Sequence, residues 1–170
     1  MELEDSIGYW LSYAQRYFAS ALFEVIRAHC LERGKPYVIT PLQWVVISLL
    51  SRRDRQTIRT LAQQLGLDGP AITNIAKRLE HSGLVQRVRS REDERFVEVR
   101  LSAEGRDIFR SLNPLVVQFH QQVLSDDQRQ HLFEHLQQFI ARISMVAPGA
   151  GDRFSSHLEH MRRQEHEHEG

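Results

Sequence analysis

The sequence lacks several features that mark secreted or membrane proteins. Among its 170 residues there is one cysteine, Cys30, so an internal disulfide is impossible. No apolar run approaches the roughly 20 residues that a membrane-spanning helix needs. The first ten residues, MELEDSIGYW, are acidic and lack the basic and apolar regions of a secretory signal. These absences predict a protein of the reducing cytoplasm.

Motifs of the common enzyme classes are also missing. The chain has no phosphate-binding loop, no G-x-S-x-G turn and no HExxH helix. Its densest carboxylates, from Glu92 to Glu94, fall in a predicted exposed hairpin tip rather than in a cleft. No Cys/His spacing matches that of a structural zinc site. We therefore expect a protein that is not an enzyme and that needs no cofactor or metal.

The formal net charge is zero, but the charges are unevenly distributed along the chain. Residues 52–100 contain 11 Lys and Arg against 7 Asp and Glu, a net charge of +4, so the remainder carries −4. A basic segment on an otherwise acidic molecule favours contact with nucleic acid, although a charge of +4 is modest.

Apolar periodicity predicts a mainly α-helical fold with a small β-wing. A long N-terminal helix is expected from about 5 to 33, and Thr40-Pro41 begins a second, largely apolar helix. After a polar connection at 51–56, two short helices at 58–65 and 69–81 are separated by Gly66, as in a helix-turn-helix. The stretches LVQRVRS and RFVEVRL alternate like half-buried strands around a charged tip, SREDE. Two long helices then extend to about Val146.

Periodicity turns Ile72, Ile75, Ala76 and Leu79 of the second short helix inward, so its other face and the hairpin tip carry the candidate DNA contacts. Asn can bind adenine with two hydrogen bonds, Thr can contact a thymine methyl group, and Lys or Arg can bind phosphate or guanine. An arginine held extended by a nearby carboxylate suits a narrow minor groove. The alternative is a helical hairpin with a solvated face, and periodicity alone does not decide between them. The candidates are Pro70, Ala71, Thr73, Asn74, Lys77, Arg78, Arg91, Asp93 and Arg95.

The order of these segments resembles the MarR family of bacterial transcriptional regulators. The resemblance covers about Ile7 to Val146, and its most specific part is D-x-R in the wing followed by V-x-L-S-x-x-G, from Val99 to Gly105. It implies a winged helix-turn-helix with N- and C-terminal dimerisation helices. The domain would span 1–147, with a DNA-binding lobe at about 41–101, dimerisation helices at about 5–33 and 103–146, and a polar tail at 148–170.

The same resemblance implies a homodimer that represses transcription from a pseudo-palindromic operator. A small aromatic carboxylate or phenolic compound would release it from double-stranded DNA. By position, the resemblance places Arg16, Trp44, Ser48 and Ile75 at the effector cleft. Helical spacing puts Ser12 and Tyr13 beside Arg16, whose guanidinium could bind a carboxylate between aromatic rings. Alternatively, Arg16 is a surface ion-pair partner and Trp44 a core residue.

Three other interpretations use the same fold differently. Cys30 could sense peroxides, although its place near the end of the first helix favours a buried, inert thiol. Metal regulation could use His29, Cys30 and Glu24, the His131–His135 pair, or the histidine-rich tail. A DNA-binding protein of architectural function would bind no effector.

Overall fold

The computed structural model describes residues 5–89 and 96–147. The wing-tip candidates Arg91, Asp93 and Arg95, together with the tail, lie outside these ranges. The described elements are α1 (Ile7–Glu32), α2 (Pro41–Arg52), β1 (Gln56–Thr57), α3 (Ile58–Leu65), α4 (Gly69–His81), β2 (Val85–Arg89), β3 (Val97–Leu101), α5 (Ala103–Val123) and α6 (Asp126–Val146). Their order confirms the predicted, mainly helical fold with a winged helix-turn-helix.

Side-chain caps explain where the helices begin. The hydroxyl of Thr40 accepts a hydrogen bond from the backbone N–H of Gln43, whose side chain bonds back to the N–H of Thr40. This capping box satisfies two donors that a helix N-terminus otherwise leaves unpaired. Ser125 and Gln128 form the same arrangement at α6. Local sequence therefore determines these helix boundaries.

The sheet has one strand more than the sequence predicted. We expected residues 51–56 to be a polar connection, but Gln56 and Thr57 form β1 and pair antiparallel with Val99 and Glu98 of β3. The strand order is β1-β3-β2, with β3 in the centre. The prediction of a plain connection was wrong because a two-residue strand is too short to show alternation and depends on a distant partner. This pairing ties the start of α3 to the wing.

A continuous apolar core joins α1, α2 and the helix-turn-helix to the sheet and α5. At Gly105, in the first turn of α5, this helix approaches the backbone of Leu84 closely. A side chain at this position would collide with the carbonyl oxygen of Leu84. The same oxygen accepts a hydrogen bond of 3.0 Å from the N–H of Ser102. Glycine is required here because the two backbone segments are almost in contact.

We call residues 41–101 the central lobe, and α1, α5 and α6 the terminal helices. Apolar residues of the central lobe are largely buried, whereas α6 has no buried residue over its 21 positions. Large apolar side chains are exposed on α1 and α6, among them Trp10, Tyr17, Phe133 and Ile140. Within the described residues, no helix is both long and apolar enough to cross a membrane.

Candidate nucleic-acid interface and effector cleft

Helix α4 separates its apolar and polar residues on two faces. Ile72, Ala76 and Leu79 are buried against the core, as the periodicity predicted. Pro70, Asn74, Lys77 and Arg78 are exposed on the other side, while Ala71 and Thr73 are half-buried. The hydroxyl of Thr73 donates to the carbonyl oxygen of Gly69 at 2.9 Å, so its methyl group is the part left to make an apolar contact. The exposed set combines side chains of the types that can read base edges and bind phosphate.

The turn before α4 determines the direction in which that helix leaves the core. Gly66 ends α3 in the left-handed conformation, with φ at +61°. Asp68 then caps α4 by accepting a hydrogen bond of 2.7 Å from the N–H of Ala71. The helix-turn-helix is therefore held by local backbone conformation as well as by its core.

An ion pair connects the end of α4 to the first strand of the wing. The guanidinium of Arg87 contacts the carboxylate of Glu80 through Nη2 at 2.6 Å and Nε at 2.7 Å. The N–H of Arg87 donates to the other oxygen of Glu80 at 3.3 Å. This paired geometry is more directional than a single contact. It ties the end of α4 to the first wing strand, and the sequence did not predict the pair.

The two described wing strands lie directly beside this helix. Val85 to Arg89 pair in register with Leu101 to Val97, so the described parts of the strands run toward the tip without a bulge. Arg100 donates from Nε to the side-chain oxygen of Gln86 at 3.0 Å. Arg89 and Arg100 add positive charge to these strands, next to the helix that carries Lys77 and Arg78. The contacts of the wing tip stay a prediction.

The first half of α1 carries a row of aromatic rings, of which Trp10, Tyr13 and Tyr17 are exposed and Tyr9 is half-buried. Tyr13 stacks on Tyr9 and Tyr17, with ring centroids 6.1 and 6.2 Å apart, and meets Trp10 edge-on at 6.1 Å. Ser12 and Arg16 are also exposed on this segment. Within residues 5–89 and 96–147, the Arg16 side chain makes no hydrogen bond or ion pair.

The other predicted cleft residues are in the core or at its edge. Trp44 is 4% exposed and stacks on Phe109 of α5, with centroids 5.5 Å apart and planes inclined by 15°. Ser48 is half-buried and donates to the carbonyl oxygen of Trp44 at 2.9 Å. Ile75 is partly buried against the core. Trp44 and Ser48 are thus adjacent, and the effector role of these residues and of Arg16 remains a prediction.

A second group of polar contacts joins the α1–α2 connection to α5. Glu104 accepts a hydrogen bond from Tyr37 Oη at 2.6 Å and an ion pair from Lys35 Nζ at 2.7 Å. The bond from Lys35, supported by that from Tyr37, holds the pKa of Glu104 below its ordinary value. Arg33 pairs with Asp107 one turn later, at 2.8 Å. The sequence did not predict these contacts, because their members are about 70 residues apart.

Two of the residues considered for redox or metal sensing, His29 and Cys30, are buried. Cys30 is fully buried, and this burial raises the pKa of its thiol, which disfavours the reactive thiolate. His29 approaches Ser111 Oγ through Nε2 at 2.9 Å. Over the described ranges, no group of three or more His, Cys, Asp or Glu side chains could hold a metal ion.

Comparison with known proteins agrees with this arrangement. The MarR family model matches residues 39–97. The regulator SarZ of Staphylococcus haemolyticus is 30% identical over 108 residues, covering 63% of this chain and 74% of the relative. A probable transcriptional regulator of Pseudomonas aeruginosa superposes with a TM-score of 0.68 at 26% identity, covering 81% of this chain and 99% of that one.

A variant of MarR from E. coli, solved in complex with operator DNA, superposes equally well. Its TM-score is 0.68 at 25% identity, and the match covers 78% of this chain and 92% of that one. The matched proteins are transcriptional regulators rather than enzymes. Sequence, fold and the paired α4 and wing together show that this chain belongs to the MarR family of DNA-binding transcriptional regulators.

Proposed function

We propose that the protein is a homodimeric repressor that binds a pseudo-palindromic operator and is released from it by a small aromatic acid or phenolic compound. The exposed polar face of α4 is the observation that carries the proposal. Its apolar residues are buried while Asn74, Lys77 and Arg78 face solvent. A helix with this division can enter a major groove without disturbing its own core.

The exposed apolar residues of the terminal helices support the dimer. Leu132, Phe133, Ile140 and Ile143 follow one face of α6 and are each at least 37% exposed. A row of this kind along 21 residues is unusual for a helix that contacts only water. A second copy would bury it, and a twofold axis would place two α4 helices on successive half-sites.

In this arrangement α4 reads the operator sequence and the wing reads the adjacent groove. Asn74 would specify a base, whereas Lys77 and Arg78 would bind phosphate or guanine. Pro70, Ala71 and Thr73 would form the close contacts of the helix N-terminus. Arg95, held extended by Asp93, would enter the minor groove, and Arg91 would bind the backbone beside it. These wing roles rest on the sequence.

The effector site would lie between the terminal helices and the central lobe. Arg16 has an unpaired guanidinium among the described residues, and Ser12 and Tyr13 are on the same part of α1. A carboxylate could bind Arg16 while an aromatic ring packs against Tyr13. Trp44, Ser48 and Ile75 would form the side of the cleft that belongs to the lobe. Ligand binding would change the separation of the two α4 helices.

The operator can be obtained by selection from randomised DNA duplexes with the purified protein. Fluorescence anisotropy then measures its affinity with and without benzoate. We expect a symmetric operator with two half-sites, and we expect benzoate to weaken binding to it. Asn74→Ala should lower operator affinity by about tenfold or more and relax the preference at one base position. Arg16→Gln should remove the benzoate response and keep operator affinity. Benzoate that binds tightly without changing operator affinity would contradict the effector mechanism.

A further inference from the structure

A pocket of about 340 Å³ lies at the base of the wing, outside the predicted effector cleft. Leu50 of α2, Leu101 of β3 and Phe109 of α5 form its apolar lining. Arg106 and Arg110 line it from α5, and Asp54 lines it from the segment before β1. We call it the wing-base pocket. Its lining thus combines apolar side chains with cationic groups from one helix and a carboxylate from another segment.

We propose that the wing-base pocket binds a small zwitterion with an apolar side chain, that is, a free α-amino acid. The carboxylate of the ligand pairs with Arg106 and Arg110, its ammonium pairs with Asp54, and its side chain packs on Phe109, Leu50 and Leu101. The size of the pocket is near the lower end of the roughly 300–1,000 Å³ found for small-molecule sites. It therefore suits one amino acid rather than a peptide.

The two arginines are available to a carboxylate. Arg106 donates from Nη1 to the carbonyl oxygen of Leu101 at 2.9 Å, which holds its guanidinium at the pocket. Arg110 has a side chain that is 76% exposed, and its Nη2 lies 3.8 Å from Asp107 Oδ1. That separation is too long for a hydrogen bond. Guanidinium groups bind carboxylates with two directed N–H donors, so this pair favours an anionic group.

Asp54 distinguishes a zwitterion from a simple acid. Within the described part of the chain, its carboxylate makes no ion pair or side-chain hydrogen bond. A ligand with only a carboxylate would bring a second negative charge beside Asp54, whereas an ammonium group would neutralise it. The next residue, Arg55, has a φ of +49°, a conformation that costs energy for a residue with a side chain. The segment that presents Asp54 is therefore held in an unfavourable conformation at the pocket.

The site also connects to parts of the fold that carry the wing. Asp54 precedes β1, and Leu101 ends β3. A bound ligand would therefore contact the segment just before β1 and the end of β3, and these two strands are neighbours in the sheet. Phe109 stacks on Trp44, which makes the indole an internal reporter of pocket occupancy. Because binding is measured without DNA, its failure would leave the proposed operator function unaffected.

The test uses the full chain with Trp10→Phe, which leaves Trp44 as the only tryptophan, and with Arg16→Gln, which disables the proposed effector cleft that Trp44 also borders. Titration with L-phenylalanine, excited at the indole band, should change Trp44 fluorescence saturably. 3-Phenylpropanoate lacks the ammonium group and 2-phenylethylamine lacks the carboxylate, so each should bind at least about tenfold more weakly. Asp54→Asn and Arg110→Gln should each weaken L-phenylalanine binding by a similar factor.

Matched controls come from an exposed ion pair on α1, Arg27 with Glu24 at 2.6 Å. Arg27→Gln removes one positive charge and Glu24→Gln one negative charge, both at positions distant in sequence from the pocket lining. Each should leave the dissociation constant for L-phenylalanine unchanged. Circular dichroism of each variant verifies folding, since the exposed positions 54 and 110 are outside the core. The proposal is overturned if L-phenylalanine gives no saturable change. It is also overturned if 3-phenylpropanoate binds as tightly as L-phenylalanine and Asp54→Asn strengthens the binding of 3-phenylpropanoate, because the pocket would then select a simple acid.

Discussion

The central lobe and helix α6 bury their apolar residues to opposite extents. In the lobe, Val46, Ile47, Leu61 and Ile72 are completely shielded from solvent by the chain itself. In α6 no residue is buried, although its apolar residues recur with helical spacing. Burial of apolar surface is the main favourable contribution to folding. The lobe can therefore form its core within one chain, whereas α6 leaves its apolar face uncovered in one chain.

This difference predicts that mutations in the two regions will affect different quantities. A change in the lobe core should lower the free energy of unfolding. In the proposed dimer, a change on the apolar face of α6 should instead lower the affinity between chains. Variants at four positions test the distinction, beginning with the one whose effect should be greatest.

Phe133→Asp should separate association from folding. A symmetric interface contains Phe133 twice, and each copy would lose roughly 1.5–3 kcal/mol of burial, so the dimer dissociation constant should rise by at least about 100-fold. Sedimentation velocity over a concentration series measures it. Gln138→Asp, on the opposite face of α6, is the control and should leave the dimer intact. Equal association of Phe133→Asp and wild type would remove α6 from the interface.

Gly105→Ala should destabilise the fold without acting on the interface directly. The added methyl group would collide with the backbone oxygen of Leu84 and approach a methyl of Leu101 at 3.2 Å. Backbone at this position has little room to move, so we expect a loss of at least about 2 kcal/mol in the free energy of unfolding. Urea denaturation measures the change. Gly69→Ala has no atom within 4 Å of the new methyl group and should be tolerated.

Lys77→Gln should lower operator affinity while leaving both dimer and stability unchanged. Removal of one phosphate-binding cation from each half-site reduces the release of counterions, so the dependence of log affinity on log salt should become shallower by about one unit per cation. Anisotropy titrations at several salt concentrations give this slope. Arg27→Gln, an exposed cation on α1, should retain the wild-type slope. An unchanged slope in Lys77→Gln would place this side chain away from DNA.

His29 lies where the terminal helices α1 and α5 meet, and it should give the smallest effect. Burial, with Arg33 contributing, lowers the pKa of His29 in the folded chain. The unfolded state therefore binds a proton more readily, and stability is fully present above the ordinary pKa of about 6.5 and falls as the pH decreases through it. Urea denaturation from pH 7.5 to 5 should show this loss, reduced in His29→Gln. An identical pH dependence in the variant would contradict the assignment to His29.

Much of the helical framework was predictable because its determinants are local. Thr40, Asp68 and Ser125 cap the helices that follow them, and Gly66 ends α3. The inward positions of α4 also followed from periodicity, since Ile72, Ala76 and Leu79 are buried. The wing strands were recognised by alternation, which reflects one buried and one exposed face.

The candidate sites were predicted less completely, because they depend on distant segments. The polar face of α4 is contained in one helix and could be recognised from the sequence. The Glu80–Arg87 pair and the contacts of Lys35 and Tyr37 with Glu104 required the folded chain. The wing-base pocket was missed for the same reason, since its lining comes from α2, the segment before β1, β3 and α5.

By itself, the sequence determined the helices, the turn, the two main wing strands and the division of α4 into two faces. Only the tertiary structure decided that Gln56 and Thr57 form a strand, that Trp44 stacks on Phe109, and that α6 remains uncovered. Caps, turns and periodicity act between residues a few positions apart. Pairing, stacking and pocket formation instead require segments that the core brings together from 40 or more residues away.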